Sequence, residues 1–401
     1  MDTFGDPRIG ESESEIASAM KRARRKGDSA CKVIFLIGAG CSITAGIPGA
    51  MDVAREMVKE VARDLFDTVH DDPVAAYRDL VGSRELDNCA TGDLEAAPTD
   101  GTIDWYRVYD DMFRRHYTAP DDVRDLFERQ VSGARGTINW AHLCLGELVA
   151  RGYISTVITT NFDQLVLAGM VSAGVMPVVC DGIGSLDRIT GAPRHPQLLE
   201  LHGSRHTYLL RNATQDVTAI RDNAAASAAI NKLFQYATVF VAAGYGGRET
   251  GVMDLLIREA RTFHDKNLFW ISHSPDPNTL SPKVREFLAT SRNSRLLVGR
   301  DADSFFLSLC QAIGIGAPGV IADPLASVER VINQVAASTM TDPTIRAQVE
   351  MARERLARLR PLDARTPPGD RVAAAIAAIQ EARLAGRHAE AYRLAAQALD
   401  Q

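Results

Sequence analysis

Residues 31 to 48 read CKVIFLIGAGCSITAGIP. The apolar run from Val33 to Ile37 has the character of a strand buried on both faces, since a half-exposed strand would alternate apolar with polar residues. Gly38 and Gly40 then allow a sharp turn and a close backbone approach to a neighbour or a ligand. Ser42 and the amides of a helix N-terminus after the loop would suit an anion, because the first N–H groups of a helix lack internal partners and carry its partial positive charge. The stretch thus reads as a phosphate cradle, with a purely structural glycine turn as the alternative. The usual dinucleotide fingerprint fails here, because its third glycine would fall on Ile43.

Outward from this loop, Val53, Met57, Val61 and Leu65 recur at helical spacing, which predicts a helix from about Pro48 packed against the sheet. Residues 67 to 135 are acidic and broken by Asp71-Asp72-Pro73, Thr91-Gly92-Asp93 and Ala119-Pro120-Asp121, yet hold Trp105, Tyr106, Tyr109, Met112, Phe113 and Tyr117. Linkers lack such apolar content, so this segment is expected to be a helical insertion lying over the cradle. A helix over 140 to 150 leads to a strand over 155 to 160, and further apolar runs at 198 to 201, 238 to 243, 268 to 271 and 295 to 298 each stop at a small or polar residue. A parallel sheet with ligand loops at the carboxyl ends of its strands has this pattern. The fold class expected is α/β: an open, doubly wound, Rossmann-like parallel sheet with a helical insertion and an all-helical C-terminal module.

Before the sheet, residues 1 to 30 read as a polar N-terminal arm with one short helix, ending in the basic run KRARRK at 21 to 26, which is expected to be a solvated face. After it, from 319 to 401, no strand signal remains, and Ala- and Arg-rich helices are expected over 327 to 337, 343 to 359 and 371 to 385. The last segment, EARLAGRHAEAYRLAAQALDQ, resembles half of a tetratricopeptide repeat; a single copy cannot build a solenoid, so the module is expected either to cap the sheet domain or, as favoured here, to serve oligomerisation or partner docking.

Composition narrows the function classes. The chain has 401 residues, 46% of them hydrophobic, enough for one large core and a smaller module. A formal net charge of -6 gives no general reason to expect direct nucleic-acid binding. The six cysteines (Cys31, Cys41, Cys89, Cys144, Cys180 and Cys310) form no CxxC pair and the N-terminus has no apolar signal segment, so a reduced, cytoplasmic protein without a Cys-rich metal site is expected. No apolar run approaches the roughly eighteen residues of a spanning helix, so no membrane partner is expected.

Three loops that should converge on the cradle carry polar residues directly after apolar strands: Thr160-Asn161-Phe162-Asp163, His202-Gly203 and Tyr245-Gly246-Gly247. Taken singly, Asn161 and Asp163 are as readily helix caps and His202 a satisfied core histidine; their joint placement at strand ends favours a site.

GAGCSITAGIP, TTNFD, LHG, VAAGYGG and VGRDAD, in this order over about residues 31 to 313, resemble the sirtuin family, whose pattern is GAGxSxxxGIP, then TxNxD, then HG. The resemblance implies NAD as the small-molecule partner, cleaved between nicotinamide and ribose. It further implies that Gly38, Ala39, Gly40 and Ser42 face the phosphates, Asn161 and Asp163 the nicotinamide ribose and carboxamide, and that His202 is the catalytic imidazole. Gly244 and Tyr245 would lie near the ribose or pyrophosphate, and Ser272 and Asp301 near the adenosine. The departures matter as much. Deacylating members carry a four-Cys zinc ribbon after HG, where this chain has only Cys310, and they continue GIP with Asp-Phe-Arg, where this chain reads Gly49-Ala50-Met51. The closer likeness is to bacterial sirtuin-like NAD hydrolases, metal-free effectors of anti-phage defence that are commonly homo-oligomeric and paired with an ATPase, an Argonaute or a phage-derived trigger. An NAD-dependent deacylase with a substituted lid and a non-catalytic NAD or ADP-ribose sensor remain the alternatives.

Overall fold

A computed structural model describes residues 8 to 10, 12 to 25, 33 to 91, 98 to 132, 137 to 204, 223 to 336 and 343 to 359. The chain divides into two compact units, Met1–Pro318 and Gly319–Gln401.

The first unit is built on one all-parallel sheet of eight strands: β1 (Arg8–Ile9), β2 (Val33–Ile37), β3 (Thr156–Thr159), β4 (Val178–Asp181), β5 (Gln197–Glu200), β6 (Val239–Ala243), β7 (Asn267–Ile271) and β8 (Ser294–Leu297). Their order is β1-β8-β7-β6-β2-β3-β5-β4. The chain leaves central β2 toward β3 on one side and returns through β6 on the other, so the strand order reverses at β2. In an open α/β sheet the crevice outside the strand ends at such a reversal is where ligands sit. This is the doubly wound parallel sheet anticipated from the apolar runs.

All five residues of β2 are buried, and alternate residues serve opposite faces. Ile34, Leu36, Phe240, Ala242, Leu268 and Trp270 pack with α8 (Ala224–Tyr236), α9 (Thr250–Thr262) and α10 (Pro282–Leu288). Val33, Phe35, Ile37, Val239, Val241, Phe269 and Ile271 pack with α1 (Glu13–Arg25), α6 (Trp140–Ala150), α7 (Leu165–Ser172) and α11 (Ala302–Ile313). Asn139, Asn223, Ser281 and Asp301 start α6, α8, α10 and α11, each side chain accepting from an amide of its own first turn.

Three expectations are corrected. The N-terminal segment is not a separate polar arm: β1 pairs with β8, and Ile16, Ala19, Met20 and Ala23, at helical spacing on α1, are buried in the sheet-facing core. β4 is an additional strand at the far edge. The helix after the loop, α2 (Ala50–Phe66), does not pack against the sheet. Its Val53, Met57 and Val61 join a third core with α3 (Pro73–Gly82), α4 (Trp105–Arg115) and α5 (Pro120–Ser132), and Leu65 is half exposed. The insertion therefore begins at α2 and has its own apolar centre.

The second unit shows α12 (Gly319–Ala322), α13 (Pro324–Ala336) and α14 (Pro343–Leu359). The helix expected over 371 to 385 and the repeat-like segment lie outside the described residues. Among the described residues no helix is long and apolar enough to cross a membrane.

Candidate functional site

Strand register sets the site. Leu297, Ile271, Ala243, Ile37, Thr159, Glu200 and Asp181 stand in one row across seven strands, and every candidate residue follows within five positions of its row member. At about 4.8 Å per strand, the lip from β8 to β5 is roughly 24 Å long.

At the centre, Gly38 N–H donates to the Ala243 carbonyl (3.1 Å) and Gly40 N–H to the Gly244 carbonyl (2.8 Å). A Cβ on Gly38 would stand 2.6 Å from Gly244 O, and one on Gly40 2.9 Å from it; Gly244 itself has φ 65° and would meet Cys41 N at 2.4 Å. The glycines thus let the β2 loop lie directly on the β6 loop. The loop continues as two 3₁₀ turns, Ala39–Cys41 and Ile43–Ala45, and the α-helix starts only at Ala50. The anion-holding arrangement expected of a helix N-terminus directly after the loop is therefore absent, and the amides of Gly38, Gly40, Cys41 and Ser42 are engaged by carbonyls. Ala39 and Gly40 remain exposed on the lip.

Ser42, expected on the cradle surface, is fully buried. Its Oγ stands 3.1 Å from Asn161 Nδ2, which also donates to Asp163 Oδ2 (3.4 Å). Asp163 Oδ1 in turn accepts from Leu165 N–H at 2.9 Å, where α7 begins. A carboxylate only accepts, so it fixes the NH₂ side of the Asn161 amide toward Asp163. The amide oxygen Oδ1, also buried, is left without a hydrogen-bond partner. Behind the loop, Asn139 Nδ2 holds Cys41 O (2.6 Å) and Thr44 Oγ1 (2.7 Å).

His202, two residues past Glu200, is 3% exposed. Its Nε2 stands 3.3 Å from Glu249 Oε2, within ion-pair reach but off the line of a hydrogen bond. The same Glu249 oxygen accepts from the Tyr245 hydroxyl at 3.0 Å. Burial and then Glu249 hold the Tyr245 phenol well above its ordinary pKa, so it stays a donor. Tyr245 therefore reaches the site through its carboxylate partner. Phe162 links the imidazole to the insertion, with ring centres 6.0 Å from His202 and 4.4 Å from Phe127 of α5. Arg248 lies 4.2 Å over the Tyr106 ring of α4, tying the β6 loop to the insertion as well.

Glu200 and Asp181 are row neighbours at the β5 and β4 ends. Glu200 is 2% exposed, and its pKa is pushed up to about 7 by burial and by the Asp181 and Asp163 carboxylates. Asp181 binds Ser204 through the amide (3.0 Å) and hydroxyl (3.4 Å). At the other end of the lip, Ser272 Oγ donates to Ser274 O (3.3 Å), and Asp301 caps α11 by accepting from Ser304 N–H (2.9 Å). The Ser304 hydroxyl and amide hold the Asp301 carboxyl below its usual range.

The structure therefore brings Ser42, Asn161 and Asp163 into one contact group, and His202 and Tyr245 into another. Ser272 and Asp301 stand apart at the β7 and β8 ends, where Asp301 acts as a helix cap. Glu249 and Glu200 were not singled out from the sequence. A glutamate at a helix start reads as an ordinary partner of the helix dipole, which hid Glu249. Glu200 carries a usable signal: a lone carboxylate between leucines in a doubly buried strand. Among the described residues no group of three or more His, Cys, Asp or Glu is placed to hold a metal, and Cys31 lies outside them.

No family model matches the sequence, and no curated protein does. Among solved structures, the chain is similar to a Sir2 structure with a p53 peptide and NAD+ at 15% identity, covering 76% of this chain and 100% of that one, with a TM-score of 0.37. It is similar to Sir2 bound to an acetylated peptide at 13% identity, with the same coverage and a TM-score of 0.38. A structure described as giving the basis of sirtuin substrate affinity matches at 14% identity, again over 76% and 100%, with a TM-score of 0.36.

Proposed function

We propose that this chain is an NAD nucleosidase, with NAD as substrate lying along the row of strand ends. The observation that carries the reading is Asn161 Oδ1, a buried acceptor with no partner whose amide is pinned by Ser42 and Asp163. An unmet buried acceptor costs on the order of 1–3 kcal/mol, and a bound water or ligand hydroxyl at the lip removes that cost. The order of the sequence motifs supports NAD as the ligand.

Cleavage of the bond between nicotinamide and ribose sends its electron pair to the pyridinium nitrogen, so nicotinamide leaves neutral. The ribose carbon becomes oxocarbenium-like and takes the oxygen of a water. What the protein must supply is a positioned water and a proton acceptor more than a strong acid. In this reading Asn161 Oδ1 orients the water, His202 takes its proton, and Asp163 holds Asn161 and faces the ribose. Gly38, Ala39, Gly40 and Gly244 form the floor under the pyrophosphate, with Ser42 beneath it. Ser272 and Asp301 lie toward the adenosine. The biological setting we infer is depletion of NAD by a homo-oligomeric effector of anti-phage defence, controlled by an ATPase, an Argonaute or a phage-derived trigger.

The test is to incubate purified full-length protein with NAD, with and without an acetylated peptide, and to identify products by chromatography. Nicotinamide and ADP-ribose formed regardless of peptide is the expected result. An acyl-ADP-ribose that requires peptide would make the chain a deacylase. Binding without turnover under activating conditions would make it a sensor.

A further inference from the structure

We infer that Glu249 is a positioning residue for His202, holding the imidazole by Nε2 so that Nδ1 is the nitrogen that accepts a proton. The inference rests on the hydrolase reading only for the identity of that proton. The geometry stands apart from it. Glu249 occupies the N-cap position of α9, yet its side chain makes no cap hydrogen bond. It turns instead toward the strand ends, where one oxygen meets both the Tyr245 hydroxyl and His202 Nε2. That nitrogen is buried and has no hydrogen-bond partner, and among the described residues the Glu249 carboxylate stands 3.3 Å from it.

Chemistry selects the tautomer. A carboxylate accepts and does not donate, so the imidazole must present N–H to it, and Nδ1 is left with its lone pair. A separation that is long and off-line without substrate is common at catalytic pairs and shortens in the complex. The Tyr245 hydroxyl donates to the same oxygen and fixes it in place. The backbone delivers Glu249 to this point through the positive φ angles of Gly244 and Gly247 (65° and 63°). A Cβ on Gly247 would lie 2.2 Å from a Val284 methyl, so the loop that carries Glu249 is seated against α10.

The experiment compares Glu249→Gln, Glu249→Asp, His202→Ala and the double variant Glu249→Gln/His202→Ala, each first checked for a cooperative melt. Glu249→Gln is expected to lower kcat about ten- to a hundredfold with KM for NAD changed less than about twofold, Glu249→Asp to recover part of the loss, and the double variant to match His202→Ala. A wild-type kcat in Glu249→Gln, or the same fractional loss on the His202→Ala background, would overturn the inference. A second readout needs no turnover: long-range ¹⁵N correlation spectra of histidine-labelled protein should show neutral His202 protonated at Nε2, with the tautomer balance shifted in Glu249→Gln. A neutral His202 protonated at Nδ1, or spectra unchanged by the substitution, would also overturn it. If the tautomer is as expected while the wild type leaves NAD intact under activating conditions, the positioning role holds and the hydrolase reading falls.

Discussion

At the scale of single residues, Asn161 and His202 are both almost fully buried at strand ends, Asn161 with an amide oxygen that has no hydrogen-bond partner and His202 with Nε2 turned to Glu249. On the proposed reading, truncation there removes a polar group that faces NAD more than it removes packing. Asn161→Ala and His202→Ala are each expected to lower NAD cleavage by about a hundredfold or more, with the double variant little worse than either; initial rates of nicotinamide release check this. Glu200 makes a separate prediction. Its carboxyl is raised to about 7 in the folded chain, so the native state holds its proton where the unfolded chain has already lost it. Stability should then fall as pH rises from about 4.5 to 7 and level off above, by about 3 kcal/mol at most for this group. Denaturant titrations across that range should show a decline that Glu200→Gln flattens. Asn161 and His202 could be picked out as candidates because each lies where a buried strand gives way to a polar loop. Glu249 could not, because nothing in a sequence reveals which way a glutamate at a helix start will turn.

Among elements, the loop after β2 shows what its glycines are for. Gly38 has an ordinary backbone conformation, and what excludes a side chain is the β6 loop lying on it. Gly38→Ala should therefore destabilise the protein by about 1–3 kcal/mol, the usual scale of overpacking, whereas Gly49→Ala, with nothing closer than 3.9 Å to the new Cβ, should cost less than about 1 kcal/mol, the loss of a glycine N-cap. Chemical denaturation of the two variants separates a packing role from a merely flexible turn. The central strands were readable because burial on both faces leaves an unbroken apolar run. β1 and β4 were not: two residues, Arg8 and Ile9, carry no pattern, and Val178–Asp181 is a partly exposed edge. The amphipathic spacing of α1 was on view in Ile16, Ala19, Met20 and Ala23. Of the basic run beside them, Arg22 and Arg24 are exposed on the solvent side of the same helix. For α2 the apolar stripe was seen, but a stripe does not say which surface it meets, and here that surface is the insertion.

On the scale of the molecule, among the described residues the three apolar clusters and the side chains packed against them lie between Ile16 and Ile315. Removing 319 to 401 should then leave the sheet unit folded, with a melting temperature within a few degrees of the full chain. If those helices serve association, as their sequence leads one to expect, light scattering should show a smaller assembly; an unchanged assembly would reduce them to a cap. The strand order has a consequence for synthesis. β2 is made early but sits between β3 and β6, and Val33 pairs with Val239; Arg8, in the first strand, pairs with Arg295, in the last. Neither pairing can form until the distant partner has left the ribosome, and parallel pairings of such separation are slow. The lip that gathers Asn161, His202 and Glu249 therefore cannot exist on a nascent chain lacking β6 and the loop after it. Whatever chemistry the site performs is withheld from the cell until translation has passed that point.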